Sequence, residues 1–262
     1  CQEVRILKPE YGHAGDAFRE LLDIWEELGL CELGPSDDDF CWVEEKNTII
    51  LYDHPRIDDR RVSPFTFGLF GNTIPSHERI KPWIFWARHP KKLLERIEKG
   101  LPEYSERNIE SIFLGKVENH IQLGNRNTHD WSTGIELFSM PILLGNVSHW
   151  PYSQEEYLDK LAHSKFGLCL PGYGPKCNRE IEYMGLGVVP IITPGVDLTY
   201  HNPWTEGVHY IRVESPEQIK EKIQNISEKE WKDMSSSCIK WYNENCSPVG
   251  SFNVTKEIVN NA

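Results

Sequence analysis

The 262-residue chain is 39% hydrophobic and 11% aromatic, which suffices for one large domain or two small ones with real cores. Its net charge of −12 argues against a general phosphate-backbone binder, so nucleic acid is not an expected partner. No stretch approaches the roughly 20 apolar residues that cross a bilayer, which makes a soluble chain without a membrane span the expectation.

The N-terminal half opens with the strand pattern "VRILKP", the loop "EYGHAGD" and then "AFRELLDIWEELGL", whose apolar spacing of three and four predicts an amphipathic helix. "NTIILYDHP" is a continuous apolar run closed by Asp53, His54 and Pro55, the signature of a buried parallel strand that ends at a functional edge. The apolar run "PWIFWA" precedes "PKKLLERIEKG", a predicted helix with Pro at its start and Gly at its end. The polar residues 102–110 mark a boundary. They give an N-terminal domain over 1–107, a C-terminal domain over 108–245, and a tail over 246–262 that packs back on the first domain.

The second half alternates strands "SIFLGKVEN", "FSMPILLG", "KFGLCLPG" and "VVPIITPG" with helices "SQEEYLDKLAHS", "CNREIEYMGLG" and "SPEQIKEKIQNI". That alternation predicts an α/β fold with a mostly parallel, doubly wound sheet. The seven cysteines (1, 31, 41, 169, 177, 238, 246) make no CxxC pair and no metal-ligand spacing, so no metal site is expected from them, and their odd number fits poorly with a full disulfide framework. Asn146, Asn225, Asn245 and Asn253 begin glycosylation sequons, which matter only in a secretory lumen. A cytoplasmic location is expected, although a chain that begins with Cys is compatible with a removed signal or Golgi anchor.

In open parallel sheets, ligands bind where loops and helix starts meet the carboxyl ends of strands. "CLPGYGPKCNREIEYMGLG" is such a junction. Gly172 and Gly174 let the backbone approach a ligand, and the helix start offers free N–H groups to an anion. Arg179 can donate two parallel bonds to phosphate oxygens, and Lys176 adds a point charge. Glu182, three residues after Arg179 on the same face, can accept from the hydroxyls of a ribose. The pair also fits an ordinary i,i+3 surface ion pair. Gly115, Lys116 and Arg126 follow the first strand of this half and are further phosphate candidates, or parts of a solvated loop.

Residues 108–240 resemble the donor-binding half of exostosin-like glycosyltransferases. The resemblance is carried by Ser164 to Gly172, Arg179 to Glu182, and Gly187 to Ile191 in linked order. Tyr183 departs from it, standing where a small residue is usual. The resemblance implies a GT-B fold, two Rossmann-like domains with parallel sheets facing a central cleft. It implies inverting, metal-independent transfer of a sugar from a nucleoside-diphosphate sugar, a UDP-sugar such as UDP-xylose, to a hydroxyl of an oligosaccharide or glycoprotein glycan. No cofactor is then required. Arg179 and Lys176 would neutralise the diphosphate and Glu182 would hold the ribose, with Tyr173 and Asn178 completing the donor loop. The short length and missing anchor resemble family members from large DNA viruses, for which the host cytoplasm is the expected compartment.

Inverting transfer needs a general base, expected from the N-terminal half. His13 suits proton transfer near neutral pH, Asp53 ends a strand, and Asp16 is a candidate that also reads as a helix cap. His54, Asp58 and Asp59 rank below them, in a polar loop. Trp83, Trp86 and Arg88 are candidates for an acceptor surface, with core packing the alternative for the tryptophans. Asp37 and Asp39 in "PSDDDF" have the form of the manganese-binding DxD of GT-A glycosyltransferases, or of a turn. A noncatalytic nucleotide- or glycan-binding module is the third reading.

Overall fold

The computed structural model describes residues 5–9, 16–36, 41–43, 46–52, 67–71, 78–143 and 150–261. The chain divides into two units: Cys1–Lys91 with Thr199–Pro203 and Asn243–Ala262, and Lys92–Leu198 with Trp204–Tyr242. Among the described residues no helix is long and apolar enough to cross a membrane.

The first unit carries a six-stranded sheet. In chain order its elements are β1 (Arg5–Pro9), α1 (Asp16–Glu27), β2 (Glu32–Ser36), β3 (Cys41–Val43), β4 (Lys46–Tyr52), β5 (Phe67–Phe70) and β6 (Ile80–Lys81). The sheet order is β2-β1-β3-β4-β5-β6. β3 runs antiparallel to both neighbours and the other pairs are parallel, so this sheet is mixed rather than the parallel one expected. β2 reads "ELGPS", and its Gly and Pro are tolerated because it lies at the sheet edge, where a missing ladder donor costs little. Pro35 and Ser36 of "PSDDDF" end this strand, and the aspartates that follow them lie outside the described residues.

α1 buries Phe18, Leu21, Leu22 and Trp25, the stripe its spacing predicts, and each such side chain is worth about 2 kcal/mol. Phe18 stacks on Trp86 with ring centroids 4.7 Å apart, and Trp83 meets it edge-on at 5.7 Å. Trp83 and Trp86 are 1% and 2% exposed, so they belong to the core and not to an acceptor surface. The last helix of the chain, α8 (Pro248–Asn260), is part of this unit. Its Thr255 accepts from the Trp83 indole at 2.8 Å and its Ser251 from the Trp25 indole at 3.0 Å.

The second unit is a Rossmann-like α/β arrangement around five parallel strands. Helix α2 (Pro90–Glu98), within which the division of the chain falls, is followed by β7 (Ile109–Leu114), α3 (His120–Arg126), β8 (Leu137–Ser139), α4 (Gln154–Ala162) and β9 (Ser164–Cys169). Then come α5 (Asn178–Leu186), β10 (Val189–Ile192), β11 (Ile211–Arg212), α6 (Glu217–Gln224) and α7 (Glu228–Asn245), whose residues from Asn243 onward fall in the first unit. The sheet order β11-β10-β9-β7-β8, parallel throughout, is the flavodoxin-like winding. From β7 the chain winds outward to β8, then returns past β7 to β9. The carboxyl ends of β7 and β9 are therefore its topological switch point. Residues 115–119 leave one and residues 170–177 leave the other.

α5 is buried over most of its surface, from Glu180 to Leu186. It stops at Gly187, whose φ of 66° is the left-handed conformation that glycine adopts without cost. Tyr183 is fully buried here, and a Cβ on Gly167 of β9 would lie only 2.5 Å from its ring. A large residue on the helix is thus matched by an absent side chain on the strand. The Tyr183 hydroxyl lies 3.1 Å from the Leu168 carbonyl and 3.3 Å from the Ile112 carbonyl, one on each switch-point strand.

Candidate functional site

The switch point gathers cations. Arg179, the second residue of α5, reaches back to β7, where its Nε donates to the Leu114 carbonyl at 3.0 Å and its guanidinium covers Phe113 at 4.4 Å. A Cβ on Gly115 would fall 2.5 Å from Arg179 Nη2, so that glycine makes room for the guanidinium. Both terminal amino groups of Arg179 are without a protein acceptor among the described residues, and no carboxylate lies within 4.0 Å of them. Burial alone lowers its pKa, but Tyr157, Tyr183, Cys177 and Glu182 together hold it above the ordinary value.

Arg126 ends α3, is 4% exposed, and lies 5.8 Å from the Phe113 ring centroid. Its Nη1 donates to the Lys116 carbonyl at 2.5 Å and its Nε to the Pro171 carbonyl at 3.2 Å, which ties the two switch-point loops together. Burial, then the charge of Arg179, push its pKa below the ordinary arginine value. Gly172 leaves space at this crossing, since a Cβ there would lie 2.9 Å from Cys177 Sγ and 3.0 Å from Arg126 Nη2. Its carbonyl accepts from Asn125 at 2.9 Å, and its N–H donates to Gly174 at 3.0 Å.

The other expected residues are placed unevenly. Lys176 is 2% exposed and its Nζ sits 3.7 Å from Asp197, so its charge is partly compensated; burial lowers its pKa. Lys116 pairs with Glu118 at 2.5 Å. Asn178 opens α5, and Tyr173 is 55% exposed on the loop. Glu182 is 2% exposed and accepts from the Tyr157 hydroxyl at 2.6 Å, so hydroxyls of a ribose would meet a carboxylate already bonded inside the fold. Asp16 opens α1 from inside the helix, not from the cap position. His13, Asp53, His54, Asp58, Asp59, Asp37 and Asp39 lie outside the described residues. Among the described residues, no group of three or more His, Cys, Asp or Glu side chains could hold a metal ion.

Four residues enter that sequence reasoning missed. Phe113 is the platform that both arginines face, and Tyr157 of α4 holds Glu182 from 25 positions away, with no local signal. Cys177 is the N-cap of α5 and Glu180 its reciprocal partner, a capping box with sulfur in place of a hydroxyl. Its spacing, Cys-x-x-Glu, was visible in the sequence.

An anion fits this arrangement best. One guanidinium has unspent donors, a second repels it, and the start of a nine-residue helix points its N–H groups to the same loop. Comparison with protein-family models gives no match, and no curated protein is detectably similar in sequence.

Proposed function

We propose that the switch point of the five-stranded sheet binds the diphosphate of a nucleoside-diphosphate sugar, and that the chain is a glycosyltransferase of GT-B type. The observation that carries this reading is Arg179. It is anchored through Nε on Leu114 while both terminal amino groups lack a protein acceptor among the described residues, at the strand ends where this winding binds ligands. The linked motifs at Ser164 to Gly172, Arg179 to Glu182 and Gly187 to Ile191 support the narrower assignment, with UDP the first nucleotide to test.

In the proposed reaction the acceptor oxygen attacks the anomeric carbon from the face opposite the diphosphate. The bond from that carbon to the phosphate oxygen breaks, its electron pair stays on the leaving diphosphate, and the acceptor proton passes to a base. Arg179 and the start of α5 meet the charge growing on the leaving group, which helps only if they are oriented beforehand. The Arg179 anchor on Leu114 and Phe113 supplies that orientation. The base comes from the N-terminal unit in the GT-B arrangement, with Asp53, His13 and Asp16 the candidates. No step passes through a metal.

Calorimetric titration with UDP tests the reading. The unmodified protein binds it, and Arg179→Ala weakens binding about 30-fold or more, the worth of a charge-assisted bidentate contact. Undiminished affinity in a folded Arg179→Ala protein overturns the proposal. UDP binding without transfer from any UDP-sugar reduces it to a binding module.

A further inference from the structure

Glu180, the third residue of α5, is 1% exposed. One of its oxygens, Oε2, accepts from the Cys177 backbone N–H at 3.0 Å, while Oε1 is buried with no hydrogen-bond partner. The groups that face it are Lys176 and Cys177 from the loop, Arg126 from α3, Arg179 and Tyr183 from α5, and Cys169 from β9, with Asp197 reaching it through Lys176. An ionised carboxylate needs most of its lone pairs satisfied when it leaves water, and here one oxygen has nothing. A carboxylic acid keeps the acceptor that Cys177 uses and avoids the buried charge. Burial pushes the carboxyl up to about 8, although the Cys177 N–H, Arg179, Lys176 and Arg126 all pull it down.

We infer that Glu180 caps α5 as a neutral carboxylic acid, leaving the cations of the switch-point loop available to an anion, and that its ionisation weakens anion binding there. The inference rests on the reading of this loop as a phosphate site and adds its regulation: binding is coupled to a proton. By linkage, an anion that binds the neutral form better also makes Glu180 harder to ionise. Glu180 touches no ligand in this account. It is a positioning residue that acts through the charge of its neighbours.

Inorganic sulfate, whose charge is constant over the range, is titrated into the full chain at pH 7, 8 and 9, alongside UDP. Sulfate affinity is expected to fall about tenfold from pH 7 to pH 9, one unit of coupling, and Glu180→Gln is expected to remove the fall. A second measurement needs no variant: carbon-13 NMR of glutamate-labelled protein shows one carboxyl titrating near pH 8, with its midpoint raised by sulfate. An equal fall in Glu180→Gln assigns the effect to Lys176 and overturns the inference. So does pH-independent sulfate binding, the absence of sulfate binding at pH 7, or the lack of any glutamate carboxyl titrating above pH 7. Sulfate binding with the expected fall but no response to UDP leaves the inference standing and overturns the nucleotide-sugar reading instead.

Discussion

Arg107 and Arg179 of the second unit show how little an arginine's identity says about its task. Arg107, 3% exposed, donates to the Pro102, Ser164 and Leu186 carbonyls and lies 5.0 Å from the Trp231 ring centroid, so its donors are spent inside the fold. Arg179 spends one donor on Leu114. Sequence could rank Arg179 as a ligand contact because it follows two glycines at a strand end, but could not show that Gly115, 64 positions earlier, is the space its guanidinium fills. Gly115→Ala tests that dependence. The new Cβ meets Arg179 Nη2 and the Phe113 ring, and the flexible guanidinium gives way first. UDP affinity is expected to drop about tenfold while the fold loses about 1–2 kcal/mol, read by calorimetry and urea unfolding. Wild-type affinity for UDP would show that Arg179 need not sit where it does.

At the scale of elements, long apolar runs were legible and short or Gly/Pro-containing strands were not. β9, β10, α1, α4 and α5 follow from period and caps, because each buries one face or all of itself, and β4 follows from its unbroken apolar run. β2, ELGPS, has a Gly and a Pro where a strand pattern needs apolar residues, and β3 and β11, three and two residues long, carry too few positions to show alternation. α3 hid for a related reason, with a glycine inside and its Asn119 cap bonded to Gln122 N–H. Tyr183 looked like a departure from a family pattern, and its reason lay on another element, at Gly167. Its hydroxyl links the two switch-point strands from beneath, so Tyr183→Phe is expected to cost about 1–2 kcal/mol in urea unfolding, the value of a buried hydrogen bond. An unchanged midpoint would mean that ring packing alone holds these strand ends.

For the molecule as a whole, the net charge of −12 and the cationic switch point are not in conflict, because the excess acid is spread along the chain and the cations are gathered by topology. Sequence composition reports only the sum. The same concentration of charge has a consequence for stability, and its sign follows from Glu180. In the unfolded chain that carboxyl titrates at its ordinary 4.5, and in the folded chain at about 8. Between those values the folded state holds a proton that the unfolded state has released, so stability falls as pH rises through the window and levels off above it. The full loss is up to roughly 5 kcal/mol, and Lys176, whose pKa burial lowers, tilts the curve the other way only at higher pH. Urea midpoints from pH 5 to pH 9 are therefore expected to decline more steeply in the unmodified protein than in Glu180→Gln, which has no proton to lose. Parallel curves for the two proteins would place an ionised carboxylate at the start of α5, and with it a site that already carries its own anion.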